Sequence, residues 1–165
     1  MLFSGFRMRL LPLDFDNLEQ MTDLSRFRHK FKIQIRFKDV DSMGHVNNAN
    51  HFTYFELARV HYFNEVITEP INWHKQGIIL ARMEIDYKSP ILLNDDVWVY
   101  SRVSKLGTKS FEVEYVIVKI EDTAEVTVAI GKSVQVCFDY EKKVTSPVPE
   151  SWKAKVLAYE PAAGS

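Results

Sequence analysis

The segment that limits the fold most is residues 48–66, because its composition and spacing predict a helix with apolar side chains on several faces. These apolar residues are Phe52, Phe55, Leu57, Ala58, Val60, Tyr62, Phe63 and Val66. A helix with this pattern must be covered by other elements on more than one side. The rest of the chain therefore has to provide a surface that wraps around it.

Strand patterns lie on both sides of this helix. Before it, apolar and polar residues alternate from Phe31 to Phe37, which predicts a strand with one buried face. After it, residues 68–76 indicate a connector or a short second helix that ends at Gly77. Gly131, within the last strand pattern, indicates a bulge or a close approach of the backbone. The four later strands are predicted at residues 78–87, 97–103, 111–120 and 126–138.

This order of elements predicts an α+β domain in which an antiparallel five-stranded sheet meets one long helix. One helix cannot cover both faces of such a sheet, and the sheet edges also need a partner. We therefore expect a homo-oligomer, in its simplest form a homodimer. The 165 residues suit one domain. We expect it at residues 29–142, after an N-terminal appendage (1–28) and before a C-terminal tail (143–165) with a short helix at 150–159.

Composition narrows the range of partners and compartments. The 21 basic and 22 acidic residues nearly balance, and no basic face is evident, so nucleic acid is not an expected partner. No apolar run approaches the roughly 20 residues that span a bilayer, so no membrane segment is expected. The single cysteine, Cys137, lies in an apolar run and is expected to be a buried thiol. These features favour a cytoplasmic protein that acts on a small molecule.

The turn at residues 39–48 carries the most chemistry for its length. The first backbone N–H groups of the following helix, near Asn47, Asn48 and Ala49, lack intrahelical acceptors and form an anion site. An acyl carbonyl that becomes an oxyanion would be stabilised there, and Asp41 could attack its carbon or activate a water. Alternatively, Asp39 or Asp41 simply accepts hydrogen bonds from the loop backbone.

The remaining polar residues of this turn also have structural explanations. Asn48 is a candidate N-cap, Asn47 a turn residue, and Gly44 a position with positive φ. His45 is a candidate base, but one loop histidine without a second His or Cys nearby does not indicate a metal site. No metal or other cofactor is therefore expected.

The sequence of this turn and the following helix resembles the N-terminal signature of hotdog-fold acyl thioesterases of the 4-hydroxybenzoyl-CoA thioesterase type. The residues that carry the resemblance are Asp39, Asp41, Gly44, His45, Val46, Asn47, Asn48, Ala49, Tyr54, Phe55, Glu56, Ala58 and Arg59. The resemblance implies a hotdog fold, with the antiparallel five-stranded sheet wrapped around the central helix. It also implies that Asp41 is the catalytic carboxylate and that the Asn48 amide polarises the thioester carbonyl. Subunits would pair edge to edge, with active sites at their interface.

The details of the turn are closer to those of acyl-carrier-protein (ACP) thioesterases, because His45 follows the glycine. Met43 stands where that branch has an asparagine, so the role assigned to His45 is to orient the loop or the water. Lys105, Lys109 and Ser110 are candidate contacts for coenzyme A (CoA) near the interface. The aromatic residues Phe52, Phe55 and Trp73 either line an acyl tunnel or belong to the core.

The predicted activity is hydrolysis of an acyl-CoA or acyl-ACP thioester to a free acid and a thiol. Two alternatives stay open at this point: a hydratase or dehydratase on the same fold, and a non-catalytic protein that binds acyl thioesters. The sequence does not decide the length of the acyl chain or whether the substrate is aromatic or aliphatic. It also does not decide whether the thiol carrier is CoA or a carrier protein, or whether the protein is a dimer or a tetramer.

Overall fold

A computed structural model describes residues 23–72 and 74–164. The predicted appendage lies mostly outside these residues, and so does Trp73. The strands are β1 (His29–Ile33), β2 (Gln76–Tyr87), β3 (Asp96–Leu106), β4 (Ser110–Glu121), β5 (Ala124–Asp139) and β6 (Val144–Thr145). The α-helices are α1 (Asn48–Tyr62) and α2 (Glu150–Tyr159), and three short 3-10 helices occupy Leu24–Arg26, Phe37–Asp39 and Pro161–Gly164.

The sheet is antiparallel throughout, with the strand order β1-β3-β4-β5-β2 and the two-residue β6 paired to β5. Register shifts occur between Leu80 and Arg82, between Val103 and Lys105, and between Ile117 and Val118. Such irregularities bend strands and increase their twist, which helps a sheet curl around a helix. The predicted five-stranded sheet around a long helix is confirmed.

Helix α1 packs one face into the concave side of the sheet. The buried side chains recur every three or four residues, as expected for one helix face, and are His51, Tyr54, Phe55, Ala58 and Tyr62. The chain continues as one π-helical turn, Phe63–Ile67, and leaves it at Thr68 with a φ of 56°. The exposed apolar residues of α1 are Phe52, Leu57 and Val60. Within one chain, part of the apolar surface of α1 therefore remains uncovered.

Phe55 is fully buried and lies where the helix comes closest to the sheet. Its ring stacks on Tyr115 of β4, with centroids 4.5 Å apart. A Cβ atom at Gly131 of β5 would lie 2.3 Å from Cε2 of Phe55. Of the two expectations for Gly131, close approach of the backbone is therefore the correct one.

The prediction for the first strand was wrong at its end. The strand stops at Ile33, and Phe37 lies in a 3-10 helix with 85% of its surface exposed. The cause is Asp39, whose buried carboxylate accepts a hydrogen bond from the Arg36 backbone N–H at 3.0 Å and so turns the chain away from the sheet.

For the connector after α1, the sequence left open a plain connector or a short second helix. Its described residues, 68–72 and 74–75, form no helix. Gly77 does not end a helix but lies in β2, where a Cβ atom would meet the Tyr140 ring at 2.2 Å. The C-terminal helix at residues 150–159 is present, and its Trp152 and Val156 join the main core.

The environment of Cys137 agrees with the expectation of a plain buried thiol. Its side chain is fully buried on β5 and forms no disulfide. Burial raises the pKa of the thiol to about 11, which disfavours the reactive thiolate. None of the helices within residues 23–72 and 74–164 combines the length and apolar character that a membrane crossing requires.

Candidate active site

The loop that contains Asp41 is closed by its own backbone. The Asp41 N–H donates to the His45 carbonyl oxygen at 2.8 Å, and the Gly44 N–H donates to the Asp41 carbonyl oxygen at 3.0 Å. Gly44 has the predicted positive φ, at 82°. At the base of the loop, the Val46 N–H donates to the Ile91 carbonyl oxygen at 2.8 Å. This backbone network holds the tight turn beside the segment that precedes β3.

The Asp41 carboxylate is partly exposed and uses its two oxygens differently. Oδ1 accepts hydrogen bonds from the backbone N–H groups of Met43 at 2.8 Å and His45 at 3.4 Å. Among the described residues, no group donates a hydrogen bond to Oδ2. One oxygen therefore has the structural role that the sequence left open, while the other remains available for chemistry.

Asp39 has the opposite environment. Its carboxylate is buried and contacts the guanidinium of Arg36, with Nη2 3.1 Å from Oδ1, and the hydroxyl of Tyr54 at 3.2 Å from Oδ2. Burial by itself raises the pKa of Asp39, but the hydrogen bonds from Arg36 and Tyr54 and the Arg36 charge outweigh it and lower the pKa below its usual range. Asp39 is therefore an ionised structural residue.

The Asp39 backbone also ties the loop to the helix. Its carbonyl oxygen accepts hydrogen bonds from the Asn47 N–H at 2.8 Å and from Nδ2 of Asn50 at 2.9 Å. The loop and the first turn of α1 are consequently one connected unit.

The N-cap of α1 is Asn47, so the expectation that Asn48 caps the helix was wrong by one residue. The Asn47 side-chain oxygen accepts a hydrogen bond from the Ala49 N–H at 3.0 Å. The Asn47 N–H is already bonded to Asp39, and the Asn50 N–H donates to the Asn47 carbonyl oxygen at 2.9 Å. Among the described residues, none accepts a hydrogen bond from the Asn48 N–H. The helix start therefore presents this amide as a free donor.

His51 is a residue of this region that the sequence reasoning missed. It lies one turn into α1 with 3% of its surface exposed, and neither ring nitrogen has a hydrogen-bond partner within residues 23–72 and 74–164. Burial lowers the pKa of His51, and the nearby carbonyls of Asn47 and Asn48 offset this only in part. Its ring packs edge-on against Tyr87, whose hydroxyl donates to the Asn48 carbonyl oxygen at 3.1 Å. The spacing from His51 to the buried Phe55 and Ala58 was the available signal, because it places all three on one helix face.

His45 is positioned through its backbone. It forms an isolated β-bridge with Leu92 and closes the Asp41 turn through its carbonyl oxygen. Its ring is partly exposed and makes no hydrogen bond with a described residue.

The proposed substrate contacts do not meet Asp41 within one chain. Lys105, Lys109 and Ser110 lie around the turn from β3 to β4, and Nζ of Lys109 is 3.3 Å from the Thr145 hydroxyl. The Asp41 loop packs beside the other end of β3, about 30 Å away along the strand. Phe55 is fully buried against the sheet, which makes it a core residue of the single chain.

An open cleft of about 330 Å³ lies on the helix side of the edge strand β2. It is lined by Glu56, Arg59, Val60, Phe63, Asn64 and Ile78. Glu56 and Arg59 form an ion pair in this cleft, with Nη2 of Arg59 3.6 Å from Oε1 of Glu56. The cleft combines an apolar wall with one cation and one anion.

The sequence matches the family described as thioesterase-like superfamily over residues 35–156. A thioesterase from Thermus thermophilus, crystallised with coenzyme A and Zn, is 34% identical; the match covers 82% of this chain and 96% of that one, with a TM-score of 0.69. The uncharacterized protein YsmA of Bacillus subtilis is 29% identical over 62% of this chain and 67% of its own length. A thioesterase superfamily structure from Jannaschia sp. CCS1 has the same fold, with a TM-score of 0.78 at 19% identity over 94% of this chain and 97% of that one. The chain therefore belongs to the thioesterase-like superfamily and is a hotdog-fold thioester hydrolase.

Proposed function

We propose that this protein hydrolyses an acyl-CoA or acyl-ACP thioester at the site formed by Asp41 and the start of α1. The observation that carries the proposal is the free Asn48 N–H, because every neighbouring amide of the helix start already has a partner. A donor that is fixed before the substrate arrives is what stabilisation of an oxyanion requires. The unpartnered Oδ2 of Asp41 supplies the second component.

In the general-base route, a water attacks the thioester carbonyl carbon and gives its proton to Asp41. The carbonyl oxygen becomes an oxyanion and accepts a hydrogen bond from the Asn48 N–H. Collapse of the tetrahedral intermediate breaks the C–S bond, and Asp41 returns the proton to the departing thiolate. The products are a free acid and a thiol.

In the nucleophilic route, the Asp41 carboxylate itself bonds to the carbonyl carbon and expels the thiolate. The resulting mixed anhydride is then hydrolysed by water. Both routes require the same free oxygen on Asp41 and the same donor at Asn48. In both, His45 orients the loop or the attacking water.

We further propose that the working enzyme is a homodimer or a larger homo-oligomer. Lys105, Lys109 and Ser110 are remote from Asp41 of the same chain, so they can contact its substrate only from another subunit. The β2 edge of the sheet has unpaired backbone groups and exposed apolar side chains that would favour such pairing. Phe55, which is fully buried, would then support the residues that line the acyl site and would not contact the acyl group itself. A cytoplasmic location stays a prediction from composition.

The experiment is release of free thiol from a panel of CoA thioesters that range from short to long aliphatic and aromatic acyl groups. Asp41→Asn is expected to reduce kcat about a hundredfold or more, the usual loss when a proton-transfer group is removed. Asp122→Asn is the matched control, because it makes the same change in an exposed turn where Asn accepts the φ of 54°. Its rate is expected to equal that of the wild type.

Asn48→Pro tests the backbone donor directly. Proline suits the first position of a helix, and Asn47 already has the extended conformation that a residue before proline prefers (φ −58°, ψ 136°). This variant therefore removes the N–H while it keeps the helix, and kcat is expected to fall about a hundredfold or more. Asn48→Ala keeps the N–H and is expected to retain most of the activity.

Full activity of Asp41→Asn or of folded Asn48→Pro would contradict the mechanism. Hydration of an enoyl thioester without any thiol release would contradict the hydrolase assignment.

A further inference from the structure

A second group of chemically active side chains lies at the other end of α1. His29 is the first residue of β1, His61 is near the end of α1, and Glu65 lies in the π-helical turn that follows. Nε2 of His29 is 3.0 Å from Nδ1 of His61, and each of these nitrogens is 3.6 Å from Oε2 of Glu65. The three atoms form a triangle with one side of 3.0 Å and two sides of 3.6 Å.

The size of this triangle matches a tetrahedral zinc site. Ligand atoms bonded to zinc at about 2.0–2.1 Å with tetrahedral angles are about 3.3–3.4 Å from one another. The observed separations of 3.0, 3.6 and 3.6 Å scatter around that value. A point equidistant from the three atoms can therefore lie about 2.0–2.1 Å from each.

Direct hydrogen bonds among the three residues do not include the carboxylate. The two imidazoles can share one hydrogen across their 3.0 Å contact. The 3.6 Å separations to Oε2 of Glu65 are too long for hydrogen bonds. A cation between the three atoms would engage all of them at once.

The buried histidine also has the outer contact that metal-bound histidines usually have. Nδ1 of His29 is 2.8 Å from the hydroxyl of Ser101, which is fully buried on β3. A hydrogen donated from Nδ1 to this hydroxyl fixes the tautomer that leaves the lone pair on Nε2, the atom facing the cluster. The ring is further held by Tyr62, with an edge-on contact at 5.4 Å.

We propose that His29, His61 and Glu65 bind a zinc ion as three protein ligands, with the fourth position open to water. Two imidazoles and one carboxylate form a donor set typical of zinc. His61 and Glu65 are about half exposed, which gives the ion a direct path from solvent. The π-helical turn that carries Glu65 is of a kind that often occurs at functional sites.

The site is separate from the hydrolytic centre. Asn48 and His61 stand at opposite ends of α1, about 20 Å apart along the helix axis. The ion would join the first residue of β1 to the end of α1, so its effect is to stabilise the contact between the edge strand and the helix. Stability is therefore a readout that does not depend on catalysis.

Zinc binding is measured by competition with a chromophoric chelator, using tag-free full-length protein stripped of metal. We expect one zinc per chain in the wild type. His61→Ala and Glu65→Gln should each weaken binding at least about tenfold, and the double variant should lose it. His74→Ala is the matched control, because His74 is exposed and outside the cluster. Both ligand variants change exposed side chains and are expected to fold.

Two further measurements locate the ion. Cobalt(II) should give the intense absorption of a four-coordinate complex in the wild type and in His74→Ala, and lose it in the double variant. Zinc should raise the Tm of the wild type and leave that of the double variant unchanged. Equal zinc affinity in the wild type and the double variant, or absence of stoichiometric binding in the wild type, would overturn the proposal.

Discussion

Asp39 and Asp41 are two positions apart and meet opposite surroundings. Asp39 is buried and bonded to Arg36 and Tyr54, whereas Asp41 keeps one oxygen without a partner among the described residues. A carboxylate that is already satisfied by strong donors is a poor base because its charged form is overstabilised. The difference indicates a structural role for Asp39 and leaves Asp41 as the candidate for the reactive carboxylate.

Glu160 is a buried carboxyl group whose ionisation is expected to affect stability. Burial raises its pKa from 4.5 to about 7, nearby Arg102 and Arg28 oppose the shift, and Glu114 adds to it. Between pH 4.5 and 7 the unfolded chain releases this proton while the folded chain keeps it. The free energy of unfolding should therefore fall as pH rises through this window, by up to about 3 kcal/mol.

Glu160→Gln removes this titration. Urea denaturation at about pH 4.5 and about pH 8 measures the free energy of unfolding of both proteins. The value for the variant minus that for the wild type should be larger at the higher pH. Glu150→Gln, an exposed position on α2, should follow the wild type at both values. A pH-independent difference between Glu160→Gln and the wild type would contradict a raised pKa.

At the scale of elements, the contact between α1 and β5 depends on the absence of a side chain at Gly131. Gly131→Ala would place Cβ 2.3 Å from the Phe55 ring and 3.1 Å from the Glu84 backbone oxygen. Overpacking of this kind should lower the free energy of unfolding by about 1–3 kcal/mol. Chemical denaturation of the purified variant measures the loss.

A double-mutant cycle identifies the cause. In a Phe55→Leu background the clashing ring is gone, so Gly131→Ala should cost distinctly less there than in the wild type. An equal cost in both backgrounds would place the strain at the Glu84 backbone instead of the Phe55 ring.

The strands could be predicted from the sequence, but the end of the first strand could not. The four strands after the connector appear where the sequence predicted them, and each provides side chains that pack in or against the main core. Apolar alternation also predicted the first strand. The same alternation continues through Phe37, but the strand ends at Ile33 because Asp39 redirects the backbone. Burial of a carboxylate against a distant tyrosine is a tertiary effect that periodicity does not contain.

The candidate site was predictable in its residue types but not in its hydrogen bonding. The sequence placed the polar turn, the positive φ of Gly44 and the helix start correctly. It assigned the N-cap to Asn48 instead of Asn47, because the two are chemically identical neighbours. His51 was missed because a lone histidine on an apolar helix face resembles ordinary core.

At the scale of the whole molecule, the exposed edge strand β2 is the surface through which subunits should pair. Ile79 and Leu80 of β2 and Leu57 and Val60 of α1 are exposed apolar residues on this side. Leu80→Asp should shift the mass measured by light scattering from the oligomer to the monomer, because it places a charge in the buried interface. It should also reduce thioesterase activity, since the proposed contacts come from another subunit.

Phe37→Asp is the control for this prediction. Phe37 is more exposed than Leu80 but lies away from β2, so the change should leave the mass unaltered. A monomeric wild type with full activity would contradict the shared site.

The free donor at the start of α1 belongs to the main chain, and this affects how the enzyme can evolve. Under the proposed mechanism, every residue except proline at position 48 leaves the donor in place. The side chain there can change while the hydrogen-bond donor for the oxyanion is kept. Position 47 lacks this freedom, because its side chain occupies the Ala49 amide and so keeps the helix start in register. Substitutions are therefore tolerated at one asparagine and restricted to helix-capping residues at its neighbour.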